Sequence, residues 1–148
     1  MPLRASIDPS DLRPIYVQIM DEVRRAIALG EMVPDEPLPS ARQLAQELTL
    51  NHLTVKQAYG GLEREGVVYV RRGLGTYVAR GVSPASERRR LAVEVARRAV
   101  KEALRHGFSP EEFHAAVAEA AAENGWTSPA EEHAGSSTAG TRSGDDDA

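Results

Sequence analysis

A chain of 148 residues with 41% apolar content suits one compact domain with an appendage, although only 5% of it is aromatic. The lack of cysteine excludes a disulfide framework and a thiolate metal site, and His52, His106, His114 and His133 have no ligand-like spacing, so no metal or cofactor is expected. No apolar run approaches the roughly 20 residues that span a bilayer, and no signal-peptide core opens the chain. The expectation is therefore a cytoplasmic protein with no membrane partner.

The net charge of −4 is unevenly placed. Residues 127–148 set Arg142 against Glu131, Glu132, Asp145, Asp146 and Asp147, which accounts for all of it. Residues 40–80 set Arg42, Lys56, Arg64, Arg71, Arg72 and Arg80 against Glu47, Glu63 and Glu65, a local excess of +3. An acidic total thus leaves room for a surface that binds phosphate.

The first element in chain order is "PIYVQIMDEVRRAIALG", where Ile15, Ile19, Val23, Ala26 and Ile27 form one helical stripe. Pro14 is expected at the first helical position and Gly30 at the stop. "EMVPDEPLP", with its three prolines, must be extended or turning. "SARQLAQEL" opens with a capping box of Ser40 and Gln43 and turns Leu44, Ala45 and Leu48 inward.

Asn51 caps the next helix, "HLTVKQAYGGLER", whose expected buried side is Leu53, Val55, Ala58, Tyr59 and Leu62. Gly60 and Gly61 each cost about 1 kcal/mol relative to alanine inside a helix, so either the helix bends or something packs close to its backbone. "VVYV", "RRGLG" and "TYVA" then read as a hairpin with Arg71 and Arg72 at its tip. Three helices followed by a hairpin describe a winged helix-turn-helix.

Beyond Gly81, "SERRRLAVEVARRAVKEALRHG" is expected as a helix with Leu91, Val95, Ala99 or Val100, and Leu104 inside and Glu94 facing Arg98. "FSPEEFHAAVAEAAAENG" begins with a second capping box, Ser109 and Glu112. It has Pro110 in the first position and Phe108 placed to staple onto Phe113. Phe113, Ala116, Val117, Ala120 and Ala121 make its stripe. Two short helices with such faces can bury them against a second copy, so Leu91, Val95, Val100, Leu104, Phe113 and Val117 are candidate dimerisation residues. The acidic, aperiodic end is expected to be disordered.

The fold class expected is α+β, mostly helical: a winged helix-turn-helix over 11–80, a two-helix dimerisation region over 85–126 and an acidic tail over 127–148. A helix-turn-helix offers the start of its second helix to the major groove. That places Asn51, His52, Leu53, Thr54 and Lys56 near base edges, with Arg42 reaching the same groove. Ser40 and Asn51 are caps that can also contact phosphate. At the hairpin tip, Gly73 and Gly75 permit close approach while Arg71 and Arg72 reach phosphates or the minor groove.

"PIYVQI", "GEMVPDEPLPSARQLAQEL" and "NHLTVKQAYGGLEREGVVYVRRGLGTYVA" together resemble the DNA-binding domain of GntR-family bacterial transcription regulators, over about residues 13 to 79. The resemblance implies a dimer that reads a short palindromic operator in double-stranded DNA with Arg42, with Asn51, His52, Thr54 and Lys56, and with the wing at Arg71, Arg72, Gly73 and Gly75. Asp35 departs from the family's usual glycine, His52 and Leu53 from a polar or basic pair, and Leu74 from a frequent arginine. The two-helix end resembles the YtrA-like subfamily, in which it serves for dimerisation and whose members often control transporter operons. Only 68 residues follow Arg80, too few to enclose a metabolite in a pocket of roughly 300 Å³ or more, and a small-molecule effector stays open.

The leading expectation is a homodimeric, sequence-specific repressor. A protein-docking winged domain stands second. An enzyme stands last: Glu111 and Glu112 sit at a helix start, where negative charge favours the dipole, and no nucleophile or phosphate-loop constellation competes with that reading.

Overall fold

The computed structural model describes residues 3–127. The expected acidic tail therefore lies, from residue 128 on, outside the described residues. The chain divides into two compact units, Met1–Arg98 and Ala99–Ala148.

In the first unit, α1 (Ile15–Ala28), α2 (Ala41–Leu48) and α3 (His52–Arg64) precede an antiparallel hairpin of β1 (Val68–Arg71) and β2 (Gly75–Val78). α4 (Pro84–Arg105) follows, its residues up to Arg98 belonging to this unit and those from Ala99 to the second. This is the winged arrangement expected. Pro14 falls one position outside its expected place: it is the cap residue, with φ −51° and an extended ψ of 142°, and Ile15 is the first helical residue. A proline's fixed φ suits either position, and ψ alone decides which side of the boundary it takes. Leu29 ends the helix, and Gly30 adopts the left-handed φ of +74° that lets the chain turn away.

The local signals of α2 and α3 work as read. Ser40 accepts from the Gln43 N–H while the Gln43 side chain accepts from the Ser40 N–H, and Asn51 accepts from the Leu53 N–H at 2.9 Å. Ile19, Val23, Ile27, Met32, Leu44, Val55, Leu62, Val67 and Val78 are fully buried and form the centre of the core. Leu53 does not join them: it is 59% exposed. Two residues before Val55 it lies about 200° around the helix from the buried stripe, on the side opposite the core.

The two glycines of α3 differ. A Cβ on Gly61 would stand 2.9 Å from the Met20 side chain, so α1 packs directly on the backbone there. Gly60 meets only Arg64, at 3.6 Å.

The wing is seated from both sides. β2 pairs with β1 in the register Val68↔Val78, Tyr69↔Tyr77, Val70↔Thr76 and Arg71↔Gly75. Along its other edge runs the proline-rich segment before α2. The Asp35 N–H donates to the Val78 carbonyl, the Val78 N–H to Glu36 and the Leu38 N–H to Thr76, at 2.8–2.9 Å.

The N-terminal segment also packs on this core. Leu3 is buried and Ala5 and Ile7 are half-buried. The Asp8 N–H donates to the Gln18 side chain at 3.0 Å, and Arg13 bridges Asp11 and Asp21. At the start of α4, Glu87 is only 3% exposed and faces Arg24 of α1, which also pairs with Asp21 and Glu65. Farther along α4, Glu94 pairs with Arg97 at 3.1 Å rather than with Arg98, the i,i+3 spacing serving in place of i,i+4.

In the second unit, α5 (Pro110–Glu123) carries the expected capping box of Ser109 and Glu112, with Pro110 in its first turn. None of its residues is buried. Phe108 stacks on His106 at 5.8 Å, inside the turn after α4 where the two are neighbours. Of the side chains expected inside, Val95, Val100 and Leu104 are exposed, Leu104 by 71%, while Ala103 is buried.

Candidate nucleic-acid interface

The candidate residues come together on three elements of the first unit. Capping fixes the start of α2 and of α3, and the short link between them, with Thr49 in a left-handed turn of φ +55°, sets the angle at which they cross. One surface depression of about 560 Å³ gathers Arg42, Gln46, Leu50, Asn51, His52 and Leu53. A second, of about 490 Å³, lies where α2, α3 and the wing meet and gathers Ser40, Gln43, Lys56, Leu74, Gly75 and Thr76. Arg71, Arg72 and Gly73 stand apart from both, at the far end of the hairpin. Thr54 is half-buried in the first turn of α3. Sequence reading missed Gln43 and Gln46; their position on the first turns of α2 beside Arg42 is the signal that could have found them.

Charge on this surface is free to act. Arg42, Lys56, Arg71 and Arg72 are exposed and make no ion pair among the described residues. Arg80, counted with them from sequence, is engaged: its Nε donates to the Asp35 carboxylate at 2.8 and 2.9 Å. The Tyr69 hydroxyl donates to the same carboxylate at 2.6 Å. The hydrogen bond from Tyr69, followed by that from Arg80, holds Asp35 below the usual carboxylate range. Gly73 and Gly75 have φ of +77° and +129°, and a Cβ on either would meet nothing within 4 Å. Their glycine is needed for the turn, and the space over their backbone is open.

Behind the surface, Tyr59 is buried. Its hydroxyl donates to the Pro39 carbonyl at 2.8 Å, and burial pushes its pKa up. It ties α3 to the residue before the Ser40 cap. A third groove, of about 730 Å³, is bounded by α1, the end of α3 and the first part of α4, with Tyr16, Met20, Arg24, Arg64, Arg90 and Leu91 among its walls. The residues after Arg80 supply only one side of it. Among the described residues no cluster of three or more His, Asp or Glu could hold a metal ion, and no helix is long and apolar enough to cross a membrane.

The chemistry this surface offers is hydrogen bonding and positive charge over an exposed helix start, flanked by a hairpin. Residues 15–78 match the family described as bacterial regulatory proteins, gntR family. The chain is 35% identical over 102 residues to the HTH-type transcriptional regulator YhcF of Bacillus subtilis (strain 168), covering 68% of this chain and 84% of that protein. It is 44% identical over 73 residues to the HTH-type transcriptional repressor YtrA of the same organism, covering 49% of this chain and 56% of the repressor. Other curated relatives are matched over still smaller shares of their length. Among solved structures it is similar to YtrA from Sulfolobus acidocaldarius, a GntR-family transcription factor, with a TM-score of 0.51 and 39% identity over 62% of this chain and 93% of that one. The chain belongs to the gntR family of bacterial regulatory proteins.

Proposed function

We propose that the protein is a homodimeric repressor that recognises a palindromic operator, each protomer placing the start of α3 in a major groove and its wing on the flanking backbone. The observation that carries this reading is the set of exposed cations that make no ion pair among the described residues, Arg42, Lys56, Arg71 and Arg72, spread over α2, α3 and the wing. A solvated helix face has no need of cations on three separate elements, whereas a duplex presents phosphates on both sides of the groove. In this reading Asn51, His52 and Arg42 meet base edges. Ser40, Thr54, Lys56, Arg71 and Arg72 meet phosphates, and Gly73 and Gly75 let the backbone close in.

Dimerisation is assigned to apolar side chains of α4 and α5: the half-buried Leu91 and Phe113 and the exposed Val95, Val100, Leu104 and Val117. Val95, Val100, Leu104 and Val117 are each at least 40% exposed, which favours a covering partner. Repression follows from occupying a promoter-proximal site, and the repressors among its relatives support it. Control of a transporter operon rests on the likeness to YtrA-like regulators. A small-molecule effector is not part of the proposal.

DNase footprinting on the DNA upstream of its own coding sequence, with sedimentation of the same preparation, tests the reading. A two-fold symmetric footprint produced by a dimer supports it. A folded protein that sediments as a monomer and protects no site, there or in a genome-wide selection, overturns it.

A further inference from the structure

Asp35 stands in a left-handed conformation, φ +65°, at an exposed position. Non-glycine residues pay for that region, and here the local turn would be served by glycine. What the aspartate adds is its carboxylate, which reaches across β2 to the Tyr69 hydroxyl on β1, 34 residues away. Tyr69 is directly opposite Tyr77 in the hairpin, and the two rings stack with centroids 5.7 Å apart and planes 23° from parallel. Over the Tyr77 ring, 5.4 Å from its centroid, lies the Arg71 guanidinium. Arg80 closes the near end of the series by donating to Asp35. Parity along the strands puts Tyr69, Arg71, Gly75 and Tyr77 on one face of the wing, while Val68 and Val78 face the core. A continuous line of contacts thus runs from the turn before α2 to the arginine at the wing's end.

We propose that Asp35 is a positioning residue for DNA binding: through Tyr69 and Tyr77 it holds Arg71 in the orientation that meets the duplex backbone. This rests on the DNA-binding reading above. The backbone bonds from Asp35, Glu36 and Leu38 already fix where β2 lies; they leave the direction of the Arg71 side chain undetermined. A long arginine otherwise samples many rotamers, and binding must then restrict them at the cost of affinity. The tyrosine stack supplies a fixed π-surface for the guanidinium. Arg80, engaged by Asp35, is kept from competing with Arg71 for that ring.

Fluorescence anisotropy with a labelled duplex of arbitrary sequence at low salt tests this, since a phosphate contact needs no operator. The proteins compared are wild type, Asp35→Gly, Tyr69→Phe, Arg71→Ala and the double variant Asp35→Gly/Arg71→Ala, each with its melting temperature. Arg71→Ala is expected to weaken binding about tenfold. Asp35→Gly, which relieves the left-handed backbone and so folds, is expected to weaken it about three- to fivefold, the range of an exposed cation–π contact. Tyr69→Phe keeps the ring and is expected to lose affinity in the same direction with an unchanged melting temperature. In the Arg71→Ala background, Asp35→Gly should cost nothing further. A general loosening of the wing would instead add its loss to that of Arg71→Ala. Additive losses, or wild-type affinity in Asp35→Gly and Tyr69→Phe while Arg71→Ala is weak, overturn the proposal and leave the DNA-binding reading standing. Wild-type protein with no salt-sensitive binding, and no effect of Arg71→Ala, overturns both.

Discussion

α3 and α5 are similar helices by sequence. Each is capped by a side chain, Asn51 in one and Ser109 in the other, and each carries an apolar stripe at helical spacing. Yet α3 buries Val55, Ala58, Tyr59, Gly61 and Leu62, while α5 buries nothing. The stripe says which face of a helix seeks cover, and it does not say what provides the cover. In α3 the cover comes from α1 and α2, which pack on a stripe whose large members are Val55, Tyr59 and Leu62. In α5 the stripe is largely alanine, and its larger members, Phe113 and Val117, have no counterpart within the described chain that buries them.

The sharpest way to break this contrast is to truncate one apolar residue on each helix. Leu62→Ala removes a fully buried side chain and is expected to cost about 3 kcal/mol, read by urea unfolding. Val117→Ala, at 40% exposure, is expected to leave the unfolding midpoint at high dilution almost unchanged. A large loss from Val117→Ala under dilute conditions would mean that α5 is covered within its own chain.

If a second copy covers α4 and α5, charge should uncover them. Leu104→Glu with Val117→Glu is expected to yield a monomer by light scattering, and affinity for a palindromic site should fall about 100-fold because two half-sites are no longer linked. Far-ultraviolet circular dichroism should show that the winged unit still folds. A double variant that remains a dimer would move the interface elsewhere.

The neighbouring glycines of α3 give a smaller test of the same packing argument. Gly60→Ala meets only Arg64 and is expected to raise stability by about 1 kcal/mol. Gly61→Ala drives a methyl against Met20 at 2.9 Å, so it should gain less than Gly60→Ala or lose stability. Equal gains at both positions would mean that Met20 yields freely and that α1 does not need a bare backbone there.

The smallest effect concerns the N-terminal segment. The Arg13 side chain beside Asp11 lowers that carboxyl to about 2. A carboxyl lowered by folding stabilises the fold above its unfolded value, and the contribution is lost as pH falls from about 4 to about 2. Protection of the Asp8 amide, taken relative to its intrinsic exchange rate, should therefore fall over that interval, and Arg13→Ala should largely remove the change.

The parts of the fold legible in sequence were those set by near neighbours. Ser40 with Gln43, Asn51 with Leu53 and Ser109 with Glu112 act within three residues, and the hairpin register follows from its glycine turn. The parts that escaped reading are set by distance in the chain. Asp35 meets Tyr69 and Arg80 across 34 and 45 residues, so the loss of Arg80 from the basic surface has no local signature. Leu53 was misplaced because an apolar residue was assigned to the core by type, when its angle around the helix put it outside. Leu3, Ala5 and Ile7 alternate as an extended, half-buried segment does, but three residues are too short a pattern to separate from chance.

The most direct test of the central claim is a salt series of anisotropy titrations against upstream promoter DNA and a scrambled duplex, with wild type and Arg42→Ala. The account predicts a preference of roughly 10³-fold or more for the promoter and an affinity that falls steeply with salt. Arg42→Ala should lose about tenfold in affinity, a contact that reads DNA having been removed. Equal, weak and salt-insensitive binding to both duplexes, unchanged by Arg42→Ala, would contradict it.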